Sequence, residues 1–357
     1  MLRVLHPREY LRKTAYSQPK QVACLSIDSA RTATYNSQNL KTLPPISTIA
    51  LPIDLEQGFS AYKDSDKQHK ERLELLLQAI SHHRIPLAHI VTWRGVITKI
   101  MTSIYKSEPF TIHATRHSGA IFLDLVKTFY GPMDRFSYFG HKFESTLLDP
   151  GSKVDPNVQF CSVFTANIGG HSLLLGGEVD CLIRVSEKDE YCELKTHKTL
   201  TPSNTTAFIR HKLLATWAQS FLAGVENVVF GFREDNQVKS LKQYKTNEFP
   251  RMARERQLWD PNACLTFLDV FLDFVKKQVL IDDANVVYTF TFDARKKEVA
   301  VSGPVTGGKN VFVFTEMLDG IESRNDVAGD KLKRQHSTAD SQASFDSGVK
   351  TNKFPRD

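Results

Sequence analysis

The sequence predicts an α/β fold of the α+β kind: a single large domain in which mixed, mainly antiparallel sheets are flanked by helices. Three observations carry this. Apolar runs come in adjacent pairs joined by short polar or glycine turns, as hairpins do. Long stretches with apolar residues at helical spacing stand between those pairs. No internal repeat is visible along the 357 residues.

Residues 1 to about 60 read as an arm lying against the core. They are rich in scattered Pro, Ser and Thr and hold only short extended stretches such as 22–27. Leu73, Leu75, Leu76, Leu77 and Ile80 recur at helical spacing and predict a helix over about 67–83, with His82 and His83 facing solvent at its end. Residues 88–92 read as a strand, and Trp93-Arg94-Gly95 leads into a helix over 96–105. Segments 110–116 and 120–125 bracket Ser118-Gly119 and predict a hairpin. Residues 143–148 fall in a short helix. A run over 172–175 continues into 179–185, and the charged turn 186–190 leads into 191–195, a second hairpin. A long helix follows over 204–223, with Phe208, Leu213, Trp217 and Leu222 in the core and Gly224 as its stop. Residues 227–233 return as a strand. A second long helix, 263–279, is expected to pack with strands 286–290 and 311–314. Residues 1–321 are thus expected to form one domain. Segment 322–357 changes to Asp, Lys, Ser and Gln with few large apolar residues, the signature of a disordered tail. Its basic run 331–334 reads as a nuclear address or RNA contact, or as a plain solvated tail.

Composition sets wide limits. The chain is 41% hydrophobic and 24% charged, as ordinary globular proteins are. It has no run of about 18 apolar residues and no apolar core after Met1, so neither a membrane span nor a secretory leader is expected. Five cysteines, an odd number, suit reduced buried thiols in the cytosol or nucleus. A net charge of +6 is compatible with a polyanionic partner.

The chemistry concentrates in Gly177-Glu178-Val179-Asp180-Cys181 and Tyr191-Cys192-Glu193-Leu194-Lys195. Residues two apart on a strand point to one face, so Glu178, Asp180, Glu193 and Lys195 can aim three carboxylates and one ammonium into a single pocket. A lone E-x-K is more often an exposed cross-strand ion pair. Three crowded carboxylates repel one another unless a cation neutralises them. Oxygen ligands select Mg²⁺ or Mn²⁺, and the absence of a His/Cys ligand cluster argues against zinc. An acidic residue followed by E-x-K is also the hallmark of restriction-type nucleases, so a restriction-nuclease-like active-site core is expected.

Together, Gly140-His141-Lys142-Phe143-Glu144, Gly177-Glu178-Val179-Asp180, Glu193-Leu194-Lys195 and the block 212–221 resemble the signature blocks of the DXO decapping-nuclease family. Trp93-Arg94-Gly95 is similar to that family's upstream arginine block, and Gln18-Pro19 with residues 55–59 to its N-terminal arm. The resemblance spans about 17–320. It implies that Glu144, Glu178, Asp180 and Glu193 bind metal, with the Leu194 carbonyl as a further ligand. It implies that Lys195 and Gln219 position the water and the scissile phosphate, and that Arg94 grips RNA. His141 stands where the family commonly has tyrosine. Two Mg²⁺ or Mn²⁺ ions are expected. The family acts on RNA 5′ ends, by pyrophosphohydrolysis of 5′-triphosphates, removal of incomplete or NAD-type caps and, in some members, 5′→3′ degradation. A groove for single-stranded RNA follows, with Arg94, Lys142, Arg210 and Lys212 as its basic track, though Arg210 and Lys212 read equally as helix-surface charges. A nuclear location, with the cytoplasm left open, and a Rat-type 5′→3′ exoribonuclease partner are further expectations of the resemblance. The readings left open are a restriction-like DNA endonuclease and a non-catalytic stabilising subunit.

Overall fold

The computed structural model describes residues 1–10, 12–62, 72–126 and 134–321. The predicted tail with its basic run, and the first part of the helix expected at 67–83, lie outside the described residues. In chain order the strands are Leu2–Arg3 (β1), Lys20–Ile27 (β2), Ala33–Thr34 (β3), Thr42–Leu43 (β4), Ile53–Asp54 (β5), Ile90–Trp93 (β6), Phe110–His117 (β7), Ala120–Leu125 (β8), Gln159–Ile168 (β9), His171–Glu178 (β10), Cys181–Val185 (β11), Lys188–Lys198 (β12), Asn227–Glu234 (β13), Gln237–Lys245 (β14), Asp283–Asp293 (β15) and Glu298–Thr306 (β16). The α-helices are Glu74–His82 (α1), Arg94–Thr102 (α2), Arg135–Leu148 (α3), Thr205–Ala207 (α4), Leu214–Ala223 (α5), Phe249–Arg254 (α6) and Pro261–Gln278 (α7).

Two sheets frame the molecule. Ten strands run β1-β16-β15-β7-β8-β6-β10-β9-β2-β3, and six run β4-β11-β12-β13-β14-β5. Most pairings are antiparallel, and β10–β6, β6–β8, β11–β4 and β12–β13 are parallel. The period of two along the strands divides the core. Leu173 and Leu175 of β10 and Val228, Phe230 and Phe232 of β13 join one apolar cluster with α2, α5 and α7. Leu174, on the opposite face of β10, packs with α1, Val91 and Phe122. Val229, Cys192 and Leu194 pack with Tyr138, Phe139, Phe143 and Leu147 of α3. The helices therefore cover both sheets, and the seam between the sheets is where the chain passes from β10 to β11.

Several expectations change here. The N-terminal arm is no irregular wrap: it supplies β2, which pairs with β9 over Lys20–Ile27, and short strands to both sheets. The short helix expected at 143–148 begins eight residues earlier, because the Asp134 side chain accepts the Phe136 and Ser137 N–H groups and caps it. The long helix contains a π-helical stretch over Phe208–Leu213 before α5, and Gly224 ends it at φ 70°. Residues 311–314 form no strand. Phe312 and Val313 are buried as coil, and β15 pairs with β16 instead.

Gly231 allows α3 to approach β13. A Cβ there would stand 2.6 Å from the Phe143 ring, itself fully buried. Gly231→Ala is expected to cost about 1–3 kcal/mol of stability by overpacking. Equal denaturation midpoints for the variant and the parent protein would contradict this packing.

Candidate metal-dependent hydrolytic site

Glu178 closes β10, and two residues later the chain enters β11 of the other sheet. The Val179 N–H bonds to the Phe160 carbonyl at 3.0 Å, which holds the crossing chain against β9. The sequence reading placed Glu178 and Asp180 two apart on one extended strand, and the structure corrects this: they do not share a continuous strand. They flank a seam, and both still face the same pocket. The Leu194 N–H donates to Asp180 Oδ2 at 2.6 Å, tying the crossing segment to β12.

Along β12, Cys192 and Leu194 pack toward α3 while Glu193 and Lys195 take the other face. Glu193 is fully buried. Its Oε1 accepts from the Lys195 ammonium and from Gln219 Nε2, the latter at 2.6 Å. Its Oε2 has no hydrogen-bond partner among the described residues, and Arg94 Nη1 lies 4.0 Å away. Lys195 Nζ also stands 4.0 Å from Asp180 Oδ2. Glu144 on α3 completes the acidic group, with His141 Nδ1 3.6 Å from its Oε2.

The protonation states follow from this crowding. Burial first, then the charges of Glu144 and Glu193, push Glu178 up to about 7. Burial and Glu193 raise Asp180 well above the usual carboxylate range. Burial alone would lower Lys195, but Glu193, Asp180 and Glu144 outweigh it and hold the ammonium charged. Burial likewise opposes protonation of His141, yet Glu144 and Glu178 carry it above the ordinary histidine value. Each shift says that the pocket lacks positive charge.

The donor set suits a hard divalent ion. It is all carboxylate, its members repel, and one buried oxygen, Glu193 Oε2, has no hydrogen-bond partner among the described residues. Among the described residues no three His, Cys, Asp or Glu side chains already converge on one ion-sized point. Lys195 stands among the acids instead.

Gln219 sits at the pocket, held on α5 beside the buried Trp217. Arg94, read as an RNA grip, lies 6% exposed behind Glu193 and donates to the Gln219 carbonyl at 3.4 Å. It fits there because Gly177 leaves room: a Cβ at that position would stand 3.2 Å from Arg94 Cβ. Lys212 is half-buried, and burial together with Lys195 lowers it to about 8, whereas Arg210 is exposed. Lys142 is half-buried on α3 and lines neither arm of the cleft described next.

That cleft has two arms meeting at Glu178. One, about 380 Å³, runs past His141, Glu144, Asp149, Asp155 and Asp180, with Lys41 and Lys153. The other, about 590 Å³, is lined by Arg31, Arg72, Trp93, His113 and Lys309 among others. Sequence reasoning named Trp93, His141, Glu144, Glu178 and Asp180 but missed the basic residues Arg31, Arg72 and Lys309 and the histidine His113 of the cleft. Arg72, His113 and Lys309 come from three distant segments, and no local spacing marks them.

Residues 17–313 match the sequence family described as RAI1 like PD-(D/E)XK nuclease. A decapping and exoribonuclease protein of Bos taurus is 35% identical over 327 residues, covering 82% of this chain and 81% of that protein. The crystal structure of S. pombe Rai1 in complex with 3′-FADP is 28% identical, with a TM-score of 0.69 over 82% of this chain and 96% of that one. Candida albicans Rai1, solved in complex with pU5-Mn²⁺, shares the fold, with a TM-score of 0.76 at 23% identity over 91% of this chain and 97% of that one.

The carboxylate crowding has a measurable sign. Glu178 rises from 4.5 to about 7 on folding, so the metal-free protein loses stability as pH climbs between those values, by at most about 3 kcal/mol. Glu178→Gln removes that contribution. Urea denaturation with a chelator at pH 5 and pH 7.5 is expected to show the variant gaining on the parent at the higher pH. A parent protein that gains on the variant as pH rises contradicts the crowding.

Proposed function

The chain belongs to the RAI1-like PD-(D/E)XK nuclease family, and we propose that it is a divalent-metal-dependent hydrolase of RNA 5′ ends. Its substrates in this reading are 5′-triphosphate RNA, cleaved as a pyrophosphohydrolase, and incompletely capped or NAD-capped RNA, cleaved as a decapping enzyme. A 5′→3′ exoribonuclease activity belongs to the same proposal. The observation that carries it is the Glu178, Asp180 and Glu193 cluster with Lys195 inside it, at the seam of the two sheets. A bare acidic cluster binds cations. An acidic cluster holding an ammonium is built for an ion and a phosphate together. The S. pombe relative's complex with 3′-FADP supports a nucleotide-bearing end as the ligand.

In this reading Glu144, Glu178, Asp180, Glu193 and the Leu194 carbonyl hold two Mg²⁺ or Mn²⁺ ions. Such ions supply positive charge that activates water and neutralises phosphoryl oxygens. Lys195 is pinned to Glu193 from one side. Its ammonium offers charge to the phosphoryl oxygens, where negative charge grows in the transition state. Gln219 fixes Glu193 Oε1 through its amide and restricts the carboxylate to one orientation. Arg94 keeps charge behind Glu193, buried beside Gly177, and its grip on RNA phosphate at the site is part of the proposal. The family assignment favours RNA ends over internal DNA sites. A nuclear location and a stable complex with a Rat-type exoribonuclease that consumes the 5′-monophosphate ends belong to the same proposal, the complex to be read by co-purification.

Incubating the protein with 5′-triphosphate, unmethylated-cap, NAD-cap and 5′-monophosphate RNAs in Mg²⁺ or Mn²⁺ tests the reading. Release of 5′-monophosphate RNA from the first three is expected, and loss of all hydrolysis with a chelator. Lys195→Ala is expected to lower kcat about 100-fold or more with little change in KM. Paired 5′ ends are expected to react slowly, since unpairing costs a few kcal/mol. Cutting of duplex DNA at internal positions, or a Lys195→Ala variant that changes KM alone, contradicts the proposal.

A further inference from the structure

The acidic arm of the cleft contains one imidazole among its carboxylates. Asp134 caps α3, and Phe139, Phe143 and Leu147 bury one face of that helix against β12 and β13, so its register is fixed. The same register turns His141, Glu144 and Leu148 into the arm, at helical spacing. Glu178 and Asp180 line the arm with them.

His141 Nδ1 stands 3.6 Å from Glu144 Oε2, which is too long for a hydrogen bond. It is a separation that one ion can span, since metal bonds of about 2 Å from each atom reach across about 4 Å. Both side chains are partly exposed to the cleft, so neither is walled off from an entering ion. Glu and His three apart on one helix bind a common pair of iron or manganese ions in carboxylate-bridged helical bundles, which shows that this spacing lets two side chains reach one centre. The ligand set described above is oxygen throughout. Carboxylate and carbonyl oxygens accept Mg²⁺ and Mn²⁺ alike, whereas imidazole favours transition ions.

We propose that His141 is a further ligand to the ion held by Glu144, and that its nitrogen sets the ion preference of the site, favouring Mn²⁺ and Co²⁺ over Mg²⁺. This deepens the proposed function and rests on its reading of Glu144 as a metal ligand. His141 then acts on the ion and not on the RNA. A histidine that only pairs with the Glu144 carboxylate would leave the bound ion without a nitrogen donor.

The test is spectroscopic and needs no turnover. With Mn²⁺ bound to the intact protein, pulsed electron paramagnetic resonance is expected to show a directly coordinated nitrogen, which is lost in both His141→Gln and His141→Phe. The Mg²⁺ concentration that displaces half of the bound Mn²⁺ is expected to fall about tenfold in each variant, because Mn²⁺ loses a nitrogen donor that Mg²⁺ hardly uses. His141 is partly exposed, and its replacement leaves the packing of α3 through Phe139 and Phe143 in place. A parent spectrum without coordinated nitrogen, a nitrogen signal that both variants keep, or an unchanged Mg²⁺ requirement overturns the proposal and leaves the hydrolase reading standing. A parent protein that binds no Mn²⁺ overturns the metal-dependent reading and this proposal with it.

Discussion

Four carboxylates gathered at the seam between two sheets repel one another, and the ammonium of Lys195 is the charge that allows the chain to fold around them. Glu193 is fully buried on β12, a position that a lone carboxylate would occupy only at the cost of several kcal/mol. Lys195 and Gln219 share one of its oxygens, and Arg94 approaches the other. Glu178 and Asp180 remain short of positive charge, and both are pushed toward protonation. The fold thus holds a strained electrostatic arrangement that a divalent ion would relieve. Sites tuned for chemistry carry this kind of imbalance.

The two sheets make this arrangement possible. If β10 ran on straight into β11, Glu178 and Asp180 would stand along one strand of one sheet. Because the chain changes sheets at Val179, they converge with Glu193 of the six-stranded sheet and with α3 and α5, which reach the seam from its two sides. The glycines beside the crossing matter for the same reason. Gly176 and Gly177 lie against the Trp93 ring and Arg94, so the arginine backs the carboxylate while the tryptophan lines the larger arm of the cleft. One arm is acidic and the other is basic and apolar, which gives the cleft a direction.

The local part of this site was legible in the sequence. Glu178 and Asp180 reach the pocket through a change of sheet that a period of two does not contain, whereas the spacing of Glu193 and Lys195 placed both side chains on one face of β12 because that period needs no tertiary information. The long helices and the hairpin at Ser118-Gly119 were legible for the same reason, with φ of 49° and 76° at the turn. What depended on distant pairing was not. β2 looked like part of a loose arm until β9 paired with it. Residues 311–314 have strand-like composition, but β15 takes β7 and β16 as its neighbours, and Phe312 and Val313 are buried as coil instead. Gln219 carries no local signal of its own, and only family resemblance pointed to it. Arg94 was read as a grip on RNA phosphate, and no local pattern showed that its position beside Gly177 buries it. His113 and Arg72 carry no local signal at all, since their pairing exists only after β7 packs beside the chain around Asn310.

The central claim is that the acids at the seam are a binding site for divalent ions. Counting bound Mn²⁺ on the intact protein by electron paramagnetic resonance at pH 7.5 tests it most directly. Saturable binding of two ions per chain, weakened at least tenfold by Asp180→Asn with the fold unchanged by circular dichroism, is the expected result. Binding that does not saturate, or that Asp180→Asn leaves untouched, would contradict it.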